Sequence, residues 1–377
     1  MIDRIVQASI RWRVFVVLAT LLLIAFGVYA ALKLPIDAVP DVTTNQVQIN
    51  ATAPAFAPEE MEKFVTYPIE VAMGSLPDKE EVRSLSKFGL SQVTVTFPDH
   101  IDILRARQLV FERLIEAQKN LPPGVQPELA PISTGLGEVF QFTVEAKPGF
   151  EDKFSLMDLR SLLDWNVIPV LRNVPGVIEV NVYGGKQKQY EVLVNPYKLL
   201  AYKLSIGDVI AALEKNNTNV GGAYLEKGGE QQLIRGLGLI QSPEDIEEIV
   251  ITSHEGTPIY VRNIGRVGFG AQVRQGAVTK DGRGETVLGI AMLLKGQNSR
   301  EVAAAAGARL RDLQKTMPQG VPPRPVYDRG ELVERTVWTA SRNLLEGGAI
   351  VIAVLFLFLL QLRAGLIVSA AIPLAML

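Results

Sequence analysis

Asp37 and Asp41 stand in LPIDAVPDVTTNQVQI, residues 34 to 49, directly behind a run of nineteen uncharged residues. Acids in that place are able to feed cations or protons toward an apolar segment; the plainer reading makes them polar punctuation where the segment ends. His100 lies between Asp99 and Asp102 in FPDHIDIL, a grouping able to orient an imidazole or hold a metal. A polar turn that caps a helix from residue 102 accounts for the same residues and is preferred. His254, in SHEGTP, is a turn residue by its neighbours. These are the only two histidines, cysteine is absent, and the seven methionines are scattered, so no metal-ligand spacing is present. Nor is there a nucleophile beside a base, a Gly-flanked serine or a carboxylate pair in a recognisable setting. The sequence therefore assigns no catalytic residue, no cofactor-binding residue and no metal ligand, and enzyme is the least favoured class.

The apolar run sets the context of these residues. VFVVLATLLLIAFGVYAAL lies between Arg13 and Lys33, and twelve of its residues are Leu, Ile, Val or Phe. Such residues contribute about -4 to -7 kcal/mol toward insertion, and the run exceeds the roughly 7 to 15 apolar residues of a cleaved signal peptide, which favours a retained anchor. Arg4, Arg11 and Arg13 precede the run, which places the residues after Lys33 outside the cytoplasm. A second run, GGAIVIAVLFLFLLQL at 347 to 362, returns the chain between Glu346 and Arg363. The first run contains no acid and the second only Glu346 at its outer edge, so no buried intramembrane proton site is expected. AGLIVSAAIPLAML, behind Arg363, is fourteen residues long and too short to span, as expected for the front part of a longer chain; a re-entrant tail is the alternative. With 38 basic and 40 acidic residues and no basic run, nucleic acid is not expected as a partner.

Between the two runs the pattern repeats. Val47 and Ile49 alternate as in a strand, and a helix follows from Pro58 with Met61, Phe64, Val65, Ile69 and Ala72 on one face, kinked at Pro68. EVRSLS and LSQVTVTF form a strand pair about Gly89, a helix carries Ile103, Ala106, Val110, Leu114, Ala117 and Leu121, and LPPGVQPEL leads to another strand. The order is β-α-β-β-α-β, the split βαβ or ferredoxin-like motif. A second copy starts at EVFQFTVEA, with a helix capped by Ser155 and Asp158 and a strand GVIEVNVYG whose Ile178, Val180 and Val182 alternate. Its remaining half, ETVLGIAMLL and MPQGVPPRP, comes about a hundred residues later. An insertion from about 185 to 280 separates the halves; it holds QYEVLV, a helix capped by Ser205 and Asp208, and a Gly-rich stretch that reads as a long exposed hairpin.

LPIDAVPDVTTNQVQI, APEEMEKFVTYPIE, VRSLSKFGLSQVTVTF, DLRSLLDWNVIPVLRNVPGVIEVNVYGG and YDRGELVERTV together resemble the first third of a resistance-nodulation-division efflux transporter, on its heavy-metal branch. The resemblance covers the whole chain, and DAVPDV and YDRGELV are its most specific parts. It implies a bacterial inner-membrane homotrimer, multi-pass in the lipid bilayer, that uses the proton motive force and no cofactor. Metal cations would leave through a periplasmic adaptor and an outer-membrane channel. The fold class expected is an α+β membrane protein: transmembrane helices plus two ferredoxin-like βαββαβ porter subdomains, the second interrupted by a docking-domain insertion. On this division 1-13 is the cytoplasmic N-terminus, 14-33 the first transmembrane helix and 34-134 the first porter subdomain. The second porter subdomain is 135-184 with 281-330, the docking domain is 185-280, the second transmembrane helix with its lead-in is 331-362, and 364-377 begins a third. The family's proton-relay acids and main metal site are expected beyond Leu377, so no functional residue carries over and this chain alone is not expected to pump. Copper and silver exporters of the branch line their path with methionine; Val273 in GAQVRQG stands where one would be sought, which leans toward cobalt, zinc or cadmium. The rival reading is a membrane-anchored periplasmic interaction module without transport activity, which an in-frame continuation past Leu377 would exclude.

Overall fold

The alternation of Val47, Ile49 and Ala51 with Gln46, Gln48 and Asn50 produces β1 (Asn45–Thr52), whose apolar members are almost fully buried. The computed structural model describes residues 9–33, 43–254, 256–274 and 276–359, together with residues 7, 37, 365, 367 and 369. Asp41, read as polar punctuation behind the first apolar run, lies outside these residues, and 364-377, read as the start of a third span, lies almost wholly outside them.

Ahead of β1 runs α1 (Arg13–Lys33), long and apolar enough to cross a membrane. Behind β1 come α2, made of Pro58–Met61, Glu62–Thr66 and Tyr67–Gly74, then β2 (Glu81–Lys87), β3 (Leu90–Phe97), α3 (Ile103–Gln118) and β4 (Pro127–Leu129). The strands pair antiparallel in the order β2-β3-β1-β4, the order of the split βαβ motif. Both helices cover one face: Met61, Val65, Ile69 and Met73 of α2 and Ala106, Val110 and Leu114 of α3 pack on Val47, Ile49, Val93, Val95 and Phe97. Hydroxyls close the polar gap beneath α2, where buried Thr66 Oγ1 lies 2.7 Å from Ser91 Oγ and 2.8 Å from Ser86 Oγ. Gly89, at a φ of 68°, makes the tight turn between β2 and β3.

The helix expected to kink at Pro68 widens directly ahead of that proline. Glu62–Thr66 is a π-turn in which the Tyr67 amide donates to Glu62 O, one residue further back than in an α-helix. Pro68 has no amide hydrogen and its ring would clash with a carbonyl one turn earlier, and the wider turn accommodates both. The extra residue also rotates the face: Phe64, expected inside, is about half exposed, and Met73 completes the buried row.

The second unit repeats this plan. It consists of β5 (Glu138–Val144), α4 (Leu156–Leu162, Leu163–Val167 and Ile168–Arg172) and β6 (Val177–Gly184), followed after a long excursion by its last strands and helix. Ser155 and Asp158 form the expected reciprocal cap. Leu163–Val167 is again a π-turn placed directly before an X-Pro step, here Ile168-Pro169.

The excursion contains β7 (Lys188–Val194), α5 (Pro196–Ala201), α6 (Ile206–Lys215), β8 (Val220–Lys227), β9 (Glu230–Gly236), α7 (Pro243–Glu247), β10 (Val250–His254), β11 (Thr257–Tyr260), α8 (Val261–Ile264) and β12 (Gly265–Ala271). β7 pairs with β12 along its length, and small apolar clusters around Val261 and Ile264 hold α6 and α7 against these strands. β8 and β9 form a hairpin exposed at every residue. Gly228 and Gly229, at φ of 66° and 82°, make its turn. The other pair, Gly221-Gly222, lies inside β8 at a break in the register rather than at a turn.

The chain then returns through β13 (Val278–Thr279), β14 (Glu285–Leu293), α9 (Ser299–Leu313) and β15 (Pro323–Asp328). β6, β14, β5 and β15 pair in that order, matching the first sheet, with β13 beside the start of β14. Ile178, expected to alternate inward, sits instead at a register shift between Val177 and Glu179, so Val177 takes the buried place. The 31-residue α10 (Arg329–Leu359) follows without a break; its first two residues belong to the stretch 281-330, and its window Arg329–Phe358 is long and apolar enough to span.

Candidate functional site

Of the residues singled out by type, none assembles into a metal centre: among the described residues no group of three or more His, Asp or Glu side chains lies close enough to hold an ion. Asp102 accepts from the Leu104 and Arg105 amides at 2.9 and 3.1 Å, so FPDHIDIL is a turn and helix cap. His254 ends β10 opposite Thr257, in the excursion, and lines a cavity of about 800 Å³ with Tyr202, Lys203 and Lys215. Val273 is 93% exposed, beside Arg160, Gly184 and Gly185.

A polar cleft between the two units has the character that the individual residues lack. The alternation that buries Val47, Ile49 and Ala51 turns Gln46, Gln48 and Asn50 to the face away from the helices. Glu128 of β4 lies directly opposite Asn50 across the ladder. Ala130, Pro131 and Ser133 continue the wall, and Glu179 and Asn181 of β6 close it from the second unit, around a volume of about 440 Å³. Gln48 Nε2 donates to Asn50 Oδ1 at 2.9 Å, which orders two of the amides. Glu179 is balanced by Arg172 at 3.8 Å, whereas no described residue forms an ion pair with Glu128. At the margin Arg107 donates to Ala130 O, and burial pushes its guanidinium below the ordinary arginine value. The lining offers carboxylate, amide and hydroxyl oxygens and no sulfur, a donor set for hard or borderline divalent cations held loosely.

In the sequence these residues occur only within strand and turn motifs, Glu128 in LPPGVQPEL and Glu179 and Asn181 between the alternating apolar positions of GVIEVNVYG, and none is singled out. Nothing local says that the two surfaces face each other.

Asp37 also changes its standing. Its Oδ1 accepts from Arg329 Nε at 2.8 Å, and Arg329 Nη1 donates to Leu136 O. DAVPDV and YDRGELV, both read as markers, thus contain the two halves of one ion pair whose arginine side chain is 6% exposed.

Comparison with known proteins accounts for the whole arrangement. The AcrB/AcrD/AcrF family model matches residues 5–377. The chain is 49% identical over 379 residues to protein HelA of Legionella pneumophila and 48% identical over 381 residues to the cobalt-zinc-cadmium resistance protein CzcA of Cupriavidus metallidurans. It is 36% identical over 377 residues to the cation efflux system protein CusA of Escherichia coli K12. All of this chain is covered in each case but only 36% of each relative's length, so it spans a little over a third of these proteins. A crystal structure of a heavy metal efflux pump superposes with a TM-score of 0.89 at 34% identity, over 98% of this chain and 37% of that one. With two membrane-length helices around paired α/β units, the chain belongs to the AcrB/AcrD/AcrF family of resistance-nodulation-division transporters, and it is similar to members of that family described as heavy-metal efflux proteins.

Proposed function

We propose that this chain forms the first part of a proton-driven inner-membrane pump that exports divalent metal cations across the cell envelope. The oxygen-lined cleft between the two units is the observation that carries this reading. A transport path must bind its ion weakly enough to release it, and scattered carboxylates and amides without a third fixed ligand suit passage better than storage. The 48% identity to a cobalt-zinc-cadmium resistance protein supports divalent cargo. The absence of methionine from the cleft points the same way.

In this reading 34-134 and the pair 135-184 with 281-330 are porter subdomains, α1 and α10 are the first two spans, and 185-280 is a docking domain. The β8–β9 hairpin supports the last assignment, because Val220, Tyr224, Leu225, Leu233 and Ile234 are all solvent-facing and call for cover by a neighbouring protomer. The working unit is then a homotrimer joined to a periplasmic adaptor and an outer-membrane channel. Proton relay and tight metal binding are assigned to parts of the pump outside this chain, which alone does not transport.

Expression of the complete pump in a metal-sensitive bacterium tests this. Tolerance to zinc, cobalt or cadmium is expected, with a loss on combining Glu128→Gln and Glu179→Gln at unchanged protein level. Tolerance to copper or silver alone overturns the divalent assignment, and tolerance unaffected by the double variant removes the cleft from the path.

A further inference from the structure

Arg329 opens α10 directly behind the last strand of the second unit, and its side chain joins three segments at once. It holds Asp37, four residues beyond the end of α1, through a 2.8 Å bond, and Leu136 O, just ahead of β5, through a second donor. The same connection is fastened again nearer β1. Lys295, in the turn after β14, donates to Thr43 O at 3.3 Å and to Asn45 Oδ1 at 2.8 Å. Asn45 Nδ2 in turn donates to Asp99 O and Ile101 O at 3.3 and 2.9 Å, within the first unit. The stretch that covalently joins α1 to the first unit is therefore attached by charged donors to the second.

We propose that Asp37 and Arg329 are positioning residues that form a strut, closed throughout the transport cycle, so that the periplasmic ends of α1 and α10 move together with the second unit. The proposal rests on the transporter reading. A buried guanidinium drawn away from this carboxylate keeps the cost of desolvation and gives up a 2.8 Å charge-assisted hydrogen bond, which opposes opening. The planar fork of arginine fixes two acceptors relative to each other, so displacement of one segment is passed to the other.

The test uses the complete pump reconstituted in vesicles, with Asp37→Asn, which keeps the side chain's size and removes its charge. The maximal rate of zinc export is expected to fall by about tenfold or more, because the strut loses the charge of its carboxylate end. The zinc concentration for half-maximal rate should stay within about twofold, since the cleft is untouched. Hydrogen exchange should quicken at the amides around Leu136 and Asn45 while the centres of β3 and β14 keep their protection. Arg329→Lys, which retains the charge but not the fork, should recover only part of the rate. Wild-type rate and exchange in Asp37→Asn overturn the strut, as does exchange that rises throughout both units, the mark of general destabilisation. If Asp37→Asn fails to accumulate, Asp37→Glu is measured in the same way, local exchange supporting the proposal and wild-type behaviour overturning it. A wild-type pump that exports no metal cation of either charge defeats the transporter reading, and the exchange pattern then still decides the strut.

Discussion

In the first unit Ile49 faces Val93 across the ladder, while in the second Phe142 faces Gly289. The two pairs occupy equivalent places: Ala51 and Val144 each sit opposite the proline that opens the last strand, Pro127 in one unit and Pro323 in the other. Two medium side chains fill the centre of one core, and one large side chain over a glycine fills the other. A Cβ on Gly289 would lie 2.3 Å from the Phe142 ring, so the glycine is there to admit the ring. The shared architecture is thus fixed by strand order and total volume, and the partition of that volume is free. A difference in connectivity makes the same point. The first unit passes from β2 to β3 through a two-residue turn, whereas the second makes its whole excursion at the corresponding place, between β6 and β14, without altering the sheet order. Closing a long loop adds little entropy cost beyond a short one, and the clusters around Val261 and Ile264 give the excursion its own support.

The sharpest way to break this equivalence is through the unequal pair. Phe142→Ala should destabilise the second unit by about 3–5 kcal/mol, as for a large buried aromatic. Phe142→Ile combined with Gly289→Val, which carries the first unit's solution into the second, should lose less than Phe142→Ala and far less than the sum of the single changes. Thermal unfolding of the detergent-solubilised chain reads both; a double variant as poor as the additive sum would mean that the two cores are not interchangeable.

The second helices of the units are capped alike, Asp102 accepting from Leu104 and Arg105 and Asn298 from Arg300 and Glu301. Asp102→Ala and Asn298→Ala should each cost about 1 kcal/mol, and markedly unequal losses in the same unfolding measurement would show that the cap carries different weight in the two units.

Acid should loosen the excursion through two of its cap carboxyls. Asp208 is held below the usual aspartate value of 3.8, first by the Ser205 hydroxyl, and Asp245 likewise by the Gln241 and Ser242 amides. A carboxyl with a depressed folded value binds protons less readily when folded, so its contribution is complete above the ordinary range and fades as pH falls through the lowered value. Exchange protection of α6 and α7 should therefore be flat between about pH 5 and 8 and decline only in stronger acid. Loss of protection already between about pH 5 and 8 would contradict the assignment.

The smallest effects belong to the π-turns, where Phe64 and Trp165 hold the same third position. Trp165 is 82% exposed, and Trp165→Ala should change stability by less than about 0.5 kcal/mol. Phe64 meets Phe56 edge-on at 6.4 Å between ring centres, so Phe64→Ala should cost about 1 kcal/mol. A larger loss at Trp165 would reveal a partner surface over the second π-turn.

What could be read beforehand followed from interactions within a few residues. Alternation at Val47 and Ile49 and at Val93, Val95 and Phe97, the caps at Ser155 and Ser205, and the turn at Gly89 are short-range consequences of sterics and hydrogen bonding. The repeat was legible for the same reason, since each copy carries its own local signals in the same order. The outward rotation of Phe64 was not legible, because a π-turn differs from an α-turn by one carbonyl and packing on the sheet selects between them. The cleft required Glu128 and Glu179 to meet across two units, and the ion pair required Asp37 to reach Arg329. Short-range signals suffice for the elements, their order and the two apolar helices. Tertiary structure alone decided which polar residues share a space, because a charge or a hydroxyl has no preferred partner until folding brings one within a few ångströms.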